Sequence, residues 1–187
     1  MLNFLQKIKS VFNKTLDLYF YSKKLMNNQN TVGVQFKTIK LLHIALCLGV
    51  VIIMGIIRYL VKQQPPVDHA LDNVVFEIAG IAIAFICMLA SRFLFLTKAS
   101  VAVNVPSLSE KINIYRGALI IQLALLEGPA IINTIFYFVT GNDLHFFIAL
   151  GLLLFMVWSR PTRLMAANLL FNSMEDRQQI YDDNLPL

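Results

Sequence analysis

Long stretches of apolar residues alternate with short polar segments along most of the chain. The four apolar stretches are residues 41–61, 74–96, 118–139 and 144–158. A helix needs about 20 apolar residues to cross the hydrocarbon core of a bilayer, and the first three stretches have that length. The fourth is shorter, so it must lie upright in a thin bilayer or extend through Ser159 and Arg160. The pattern predicts an all-α membrane protein with four transmembrane helices.

The polar segments divide the chain and mark the helix ends. Over residues 1–26, apolar side chains recur at helical spacing among lysines, which predicts a basic amphipathic helix against the membrane surface or a partner. Ser107 followed by Glu110 is a capping-box pattern, so we expect the third helix to begin near Leu108. The Thr-Gly-Asn-Asp sequence at positions 140–143 predicts a tight turn. The predicted parts are a cytoplasmic or interfacial segment (1–40), a first transmembrane hairpin (41–96), a cytoplasmic linker (97–113), a second hairpin (114–160) and a cytoplasmic tail (161–187) that frays at its acidic end.

The first and third apolar stretches share residues at a fixed offset. Shifting the first by 79 positions aligns six identical pairs: Ala45, Leu46, Gly49, Ile52, Ile53 and Ile56 fall on Ala124, Leu125, Gly128, Ile131, Ile132 and Ile135. The second and fourth stretches both end in Ser-Arg. We interpret the chain as two hairpins in parallel repeat, related by an axis along the membrane normal.

The distribution of charge predicts the orientation. Apolar residues make up 57% of the 187 positions and charged residues 14%, whereas soluble domains carry about 25% charged residues. Of the 16 Lys and Arg residues, all but Arg58 and Lys62 lie in or beside the N-terminal segment, the 97–113 linker and the C-terminal tail. Cytoplasmic segments carry the excess of positive charge, so both termini are expected in the cytoplasm.

A carboxylate interrupts the third apolar stretch near its middle. A charged side chain at this depth is costly unless it has a function or a partner, so Glu127 is the first candidate site residue. Arg116 and Thr134 lie within about 20° of its direction on a helix, but Arg116 is about 16 Å away along the axis. A partner for Glu127 must therefore come from another helix or another subunit. Glu127 either handles a proton or ion, or holds helices together.

Small residues four positions apart recur in three of the stretches. Such pairs let helix backbones approach closely. Gly128 is followed by a proline, which leaves a carbonyl unbonded and allows a kink. The candidate helix-packing residues are Ala45, Gly49, Gly80, Ala84, Ala124, Gly128 and Pro129.

Motifs of known enzymes are absent from the sequence. There is no phosphate-binding glycine loop, no dinucleotide fingerprint and no nucleophile elbow. Cys47 and Cys87 are lone thiols inside apolar stretches, and the histidines have no metal-binding spacing. We expect no catalytic residue, no cofactor, no metal and no nucleic-acid partner. We expect the basic residues to set the orientation in the membrane and to contact lipid headgroups.

Residues 123–163 resemble a group of small four-span membrane proteins that are frequent in Bacteroidota. The resemblance is carried by Ala-Leu-Leu-Glu-Gly-Pro-Ala at 124–130, Thr-Gly-Asn at 140–142 and Arg-Pro-Thr at 160–162. It implies a multi-pass protein of the bacterial inner membrane, and it implies no activity. The chain is also similar to the proteolipids of ATP synthases, whose hairpins carry one membrane carboxylate. It departs from them because Glu127 lies on the first helix of its hairpin and the glycine-repeat helix is missing.

Three functional hypotheses remain open from the sequence. The first is a structural or accessory subunit of a membrane complex, whose partners are the bilayer and either other membrane subunits or further copies of itself. The second is a proteolipid-like oligomer that translocates protons or ions through Glu127. The third is one half of a small-solute transporter, which would require a homodimer with a cavity at the midplane.

Overall fold

The computed structural model describes residues 31–63 and 70–187. The predicted amphipathic helix over residues 1–26 lies outside the described residues. Within them the chain is helical and contains no strand. The helices are α1 (Val32–Val61), α2 (Ala70–Val101), α3 (Leu108–Thr140), α4 (Asp143–Trp158), α5 (Arg163–Leu170) and α6 (Met174–Arg177), with 3-10 turns at Ala102–Asn104 and Gln178–Tyr181.

Three of these helices are long and apolar enough to cross a membrane. They are α1, α3 and the segment Val74–Asn104 that includes most of α2. Helices α4 and α5 meet the same criteria only as a pair, and a bend of 72° separates them. The prediction of an all-helical fold is therefore confirmed for the described residues, with three to four candidate membrane spans, and the predicted number of four is not confirmed.

The ends of α3 follow the local sequence signals. The helix begins at Leu108 as predicted, although the Ser107 side chain makes no capping hydrogen bond. It ends at Gly141, whose φ of 67° is a left-handed conformation that glycine adopts without strain. The Asn142 side chain then accepts a hydrogen bond of 3.0 Å from the Leu144 backbone N–H and starts α4. The predicted tight turn is confirmed.

Helix α1 begins before its apolar stretch because the C-terminal tail caps it. The backbone N–H of Val32 donates to the Leu185 carbonyl at 3.1 Å, and that of Gly33 to the Asp183 carbonyl at 3.3 Å. These bonds satisfy two of the N–H groups that a helix start leaves unbonded. Ile180 of the tail is fully buried. The expectation that the tail frays was wrong, because its backbone carbonyls bond to α1 and Ile180 packs into the core.

Helix α3 is the centre of the bundle and packs against α1, α2 and α4. Helix α1 contacts α3 and α4, and α2 contacts the same two helices from another side. Among the described residues α1 and α2 make no extensive contact with each other. A symmetric repeat would require α1 and α2 to pack as α3 and α4 do. The structure therefore does not confirm the repeated hairpins.

An aromatic cluster closes one end of the bundle. Tyr115 of α3 is fully buried between Phe36 of α1 and Phe95 of α2, with ring centroids 6.4 and 5.9 Å away. This is the end where α1 and α3 begin and α2 and α4 end. We call it the basic end because, in the part of the chain that the structure describes, cations cluster near its helix termini, among them Lys37, Lys40, Lys98, Lys111, Arg160 and Arg163.

Candidate functional site

Glu127 lies on α3 at the edge of its contact with α1. Its side chain is half-exposed. A Cβ atom placed on Gly49 of α1 would lie 4.0 Å from the Glu127 Oε1 atom, so the two helices approach at this level. Among the described residues, no hydrogen bond or ion pair reaches the carboxyl group. The carboxylate is therefore only partly covered by the bundle, and no residue in the described part of the chain bonds to it.

The other two residues of the predicted stripe are not brought to Glu127. Thr134 is buried, and its Oγ1 donates to the Ala130 carbonyl one turn earlier at 2.8 Å. Arg116 lies on the same helix at a distance of about 16 Å along the axis. Thr134 is thus satisfied within α3, and the three side chains do not form one cluster.

The candidate packing residues fall into two groups. Gly80 and Ala84 lie inside the bundle, and a Cβ on Gly80 would come within 2.5 Å of Asn133 Oδ1 and 2.9 Å of His145 Nδ1. The remaining residues of α1 and α3 lie toward the outside, except for the buried Pro129. Ala124 is exposed, and Ala45, Gly49 and Gly128 are half-exposed. A Cβ on Gly128 would meet no atom of the described residues within 4 Å.

We define the Glu127 face as Ala124, Glu127 and Gly128 of α3 together with Gly49 of α1. Its small residues leave the backbones of both helices accessible. Exposed isoleucines continue the face along α3 in both directions, at Ile120 and Ile135. It is therefore an apolar surface with a shallow relief and one polar group near its centre.

A buried polar cluster joins α2, α3 and α4 on a different side of α3 from Glu127. The Asn133 side-chain amide donates to the carbonyls of Gly80 at 3.2 Å and Pro129 at 3.0 Å. Its Oδ1 is left as an acceptor and lies 3.3 Å from Nδ1 of His145, so His145 donates from that nitrogen. Both side chains are fully buried. The amide group thus fixes the register of three helices.

Sequence reasoning missed this cluster. Asn133 does not share the direction of Glu127 on a helix and His145 has no metal-binding spacing, so neither is among the predicted site residues. Gly80 could have indicated the cluster. It is a predicted packing residue, and its missing side chain makes room for the polar groups of Asn133 and His145. Nε2 of His145 is buried and, within the described ranges, has no hydrogen-bond partner.

At the end opposite the basic end, the described side chains of Arg58, Glu77 and Asp143 have hydrogen-bond partners. Arg58 of α1 donates to the Tyr137 hydroxyl at 2.7 Å and to the carboxylate of Asp143, and its guanidinium lies 4.6 Å from the centre of the Phe146 ring. Glu77 of α2 accepts from the Asn142 side chain at 2.6 Å. These contacts fasten α1 and α2 to the α3–α4 turn.

Two further polar residues act as ties inside the bundle. His43 of α1 is buried, and its Nε2 atom lies 2.9 Å from the Met156 carbonyl of α4. Lys111 of α3 donates to the Leu170 carbonyl at 3.0 Å and to that of Val103 at 3.2 Å. In both cases a side chain satisfies a carbonyl near a helix end.

No group of three His, Cys, Asp or Glu side chains in residues 31–63 and 70–187 could hold a metal ion. A scan against protein-family models gave no match, and searches of curated proteins and of solved structures gave none either. The Glu127 face is the described surface whose geometry bears on function.

Proposed function

We propose that this protein is a structural or accessory subunit of a membrane complex in the bacterial inner membrane, with both termini in the cytoplasm. In this proposal the Glu127 face receives a transmembrane helix of another subunit. The partner helix supplies a hydrogen-bond donor to the Glu127 carboxyl group. The protein itself carries out no chemical reaction.

The half-exposed Glu127 without a bonding partner in the described part of the chain is the observation that carries the proposal. A charged side chain at the centre of a bilayer costs about 2.5–3.5 kcal/mol on insertion scales. Contact with lipid would leave that cost uncompensated. A neighbouring helix with a polar group would reduce it, and interhelical hydrogen bonds in membranes contribute about 0.6–2 kcal/mol each.

The small residues beside Glu127 support the same proposal. Helix association in lipid depends on close packing because lipid tails are as apolar as side chains. Gly49, Ala124 and Gly128 offer a surface on which a second backbone can approach. Inside the bundle, Asn133, Thr134 and His43 already have partners within this chain. These three interior side chains are used within the chain, whereas Glu127 has no bonding partner among the described residues.

Proton or ion translocation is the second candidate. The same absence of a described partner for Glu127 favours it, since an exchangeable carboxyl group must be able to release its proton. Translocation would further require an oligomer that encloses Glu127. The two candidates predict different effects of replacing Glu127 by a neutral side chain of the same shape. Glu127→Gln keeps a hydrogen-bonding group but removes the titratable one.

The test is purification of the tagged protein from native membranes in mild detergent, with identification of the proteins that remain bound in fixed stoichiometry. We expect Gly128→Leu, which fills the face, to remove the partner. Gly151→Leu is the matched control because Gly151 lies on the exposed side of α4 and, like Gly128, has open space around it among the described residues. Glu127→Gln should retain most of the partner.

Two results would count against the accessory-subunit proposal. One is a pure homo-oligomer in the native membrane. The other is equal loss of partner in the Gly128→Leu and Gly151→Leu variants. A homo-oligomer that conducts protons in liposomes, and stops doing so with Glu127→Gln, would establish the second candidate instead.

A further inference from the structure

A pocket of about 540 Å³ lies at the basic end, where α1 meets the bend between α4 and α5. Its size falls in the range of ligand pockets, about 300–1,000 Å³. Lys40 and Ile44 of α1 form one side, and Val157, Arg160 and Arg163 form the other. It is separate from the Glu127 face, which lies farther along α1 and α3.

The bend of 72° between α4 and α5 creates this pocket. Pro161 lies within the bend, and a proline cannot donate the hydrogen bond that would continue α4. Helix α5 therefore turns away, and the Thr162 side chain caps its start by accepting from the Met165 N–H at 3.2 Å. A gap remains beside α1, and the side chains around the bend line it.

The charged part of the pocket is positive. Lys40 and Arg160 are exposed, and among the described residues no carboxylate lines the cavity. Arg163 donates to Asp183 of the tail, and its guanidinium lies 5.6 Å from the centre of the Phe36 ring. Arg163 is therefore held in place. Lys40 and Arg160 are more exposed, and Lys40 also interacts electrostatically with Asp183.

The other part of the pocket is apolar and continues into exposed apolar surface. Ile44 is 54% exposed on α1, and Val157 is 50% exposed on α4. Trp158, the single tryptophan of the chain, follows directly and is 86% exposed. Tryptophan concentrates at the headgroup level of membranes. Trp158 thus places the cations at the depth of lipid phosphates and the apolar wall at the depth of acyl chains.

We propose that this pocket binds an anionic phospholipid, with its phosphate between Lys40, Arg160 and Arg163 and its acyl chains along Ile44 and Val157. Basic pockets between membrane helices suit anionic headgroups, because the cations and the phosphate attract each other near the low-dielectric membrane. A soluble phosphate compound would match the cations but leave the apolar wall without a partner. The apolar wall is what selects a lipid.

Trp158 makes the site measurable in the full-length protein. The protein is reconstituted in phosphatidylcholine, and brominated phosphatidylglycerol or brominated phosphatidylcholine is added in increasing mole fraction. Bromine quenches tryptophan fluorescence only at short range, so quenching reports lipid beside Trp158. We expect half-maximal quenching at a mole fraction several-fold lower for the anionic lipid.

Variants of the two open cations test the site itself. A cation near the membrane surface contributes about 1 kcal/mol to the binding of anionic lipid, which corresponds to about fivefold in affinity. Lys40→Gln and Arg160→Gln should each reduce the preference by about this factor. Lys98→Gln is the matched control, since Lys98 is exposed at the same end of the bundle but does not line the pocket.

Three outcomes would overturn the proposal. The first is equal quenching by the two brominated lipids in the unmodified protein. The second is an equal loss of preference in the Lys98→Gln variant, because the effect would then be that of the general surface potential. The third is loss of the preference on addition of millimolar inorganic phosphate, which would show that the pocket holds free phosphate.

Discussion

Helix α3 presents two polar side chains, Asn133 and Glu127, in opposite surroundings. They are separated by about 120° around the helix. Asn133 points into the bundle, where its amide nitrogen donates to two carbonyls and its oxygen faces His145. Glu127 lies at the edge of the bundle, half-exposed and without a bonding partner in the described part of the chain. The comparison shows that a polar residue inside an apolar stretch can bond neighbouring helices together on one side of a helix. On another side, such a residue can remain free of bonds to the described chain.

The glycines of these two sides should respond differently to the same substitution. We expect Gly80→Ala to lower the free energy of unfolding by about 1–3 kcal/mol, because overpacking a tight contact has this cost. The new methyl group would lie 2.5 Å from Asn133 Oδ1 and must displace it. Gly128→Ala, with open space around it, should change stability by less than about 0.5 kcal/mol. Unfolding in detergent micelles with added sodium dodecyl sulfate, followed by circular dichroism, measures both.

A similar loss of stability in both variants would break the comparison. It would mean that the Gly128 side is also closely packed within one chain. Gly151→Ala on α4 provides the baseline for a glycine with open surroundings.

The polar side chains themselves should show the same contrast on a smaller scale. Asn133→Ala removes bonds to Gly80 and Pro129, and interhelical hydrogen bonds in membranes contribute about 0.6–2 kcal/mol. We expect a loss of this size. Glu127→Gln should leave the free energy of unfolding within about 0.5 kcal/mol, since among the described residues it breaks no bond.

A double-mutant cycle sharpens the assignment. The effects of Asn133→Ala and His145→Ala should be less than additive, because each removes the contact between the two side chains. Additive effects would show that His145 does not depend on Asn133. A large destabilisation by Glu127→Gln would contradict the placement of Glu127 outside the bundle interior.

The sequence predicted those features that depend on nearby residues. Apolar length located the helices, Ser107 and Glu110 located the start of α3, and Gly141 located its end. Each signal acts within a few residues of the element that it marks. Glu127 was found for the same reason, since a carboxylate in an apolar stretch is visible without any knowledge of packing.

Features that depend on contacts between distant parts of the chain were not predicted. The early start of α1 requires the carbonyls of Asp183 and Leu185, and the polar cluster requires Gly80, Asn133 and His145 from three helices. The direction of a side chain on one helix does not tell which neighbour covers it. Thr134 shares the direction of Glu127 and is nevertheless buried. Identities at an offset of 79 positions likewise did not fix which helices pack together.

Asp183 offers a contrast with Glu127, because its carboxylate has a partner and lies outside the apolar helices. Asp183 accepts a hydrogen bond from Arg163, which holds the pKa of Asp183 below its usual range. Its backbone carbonyl caps α1 through the Gly33 N–H. We expect the side-chain bond to hold the tail against α5 at neutral pH, with a small effect because Asp183 is exposed.

The dependence on pH follows from the sign of this shift. The Asp183 carboxyl group has a lower pKa in the folded state than in the unfolded state. In the unfolded state its pKa is about 3.9. The bond therefore stabilises the fold above that pH, and its contribution is lost as the pH falls through the lower pKa of the folded state. The difference in melting temperature between the unmodified protein and Asp183→Asn should stay constant from about pH 7 to pH 5 and shrink below about pH 4. Asp182→Asn, which changes a neighbouring exposed carboxylate, should show no such convergence. A difference that grows as the pH falls would mean that Arg163 does not stabilise the ionised form of Asp183, and the tail would then owe its position to Ile180 and its backbone bonds alone.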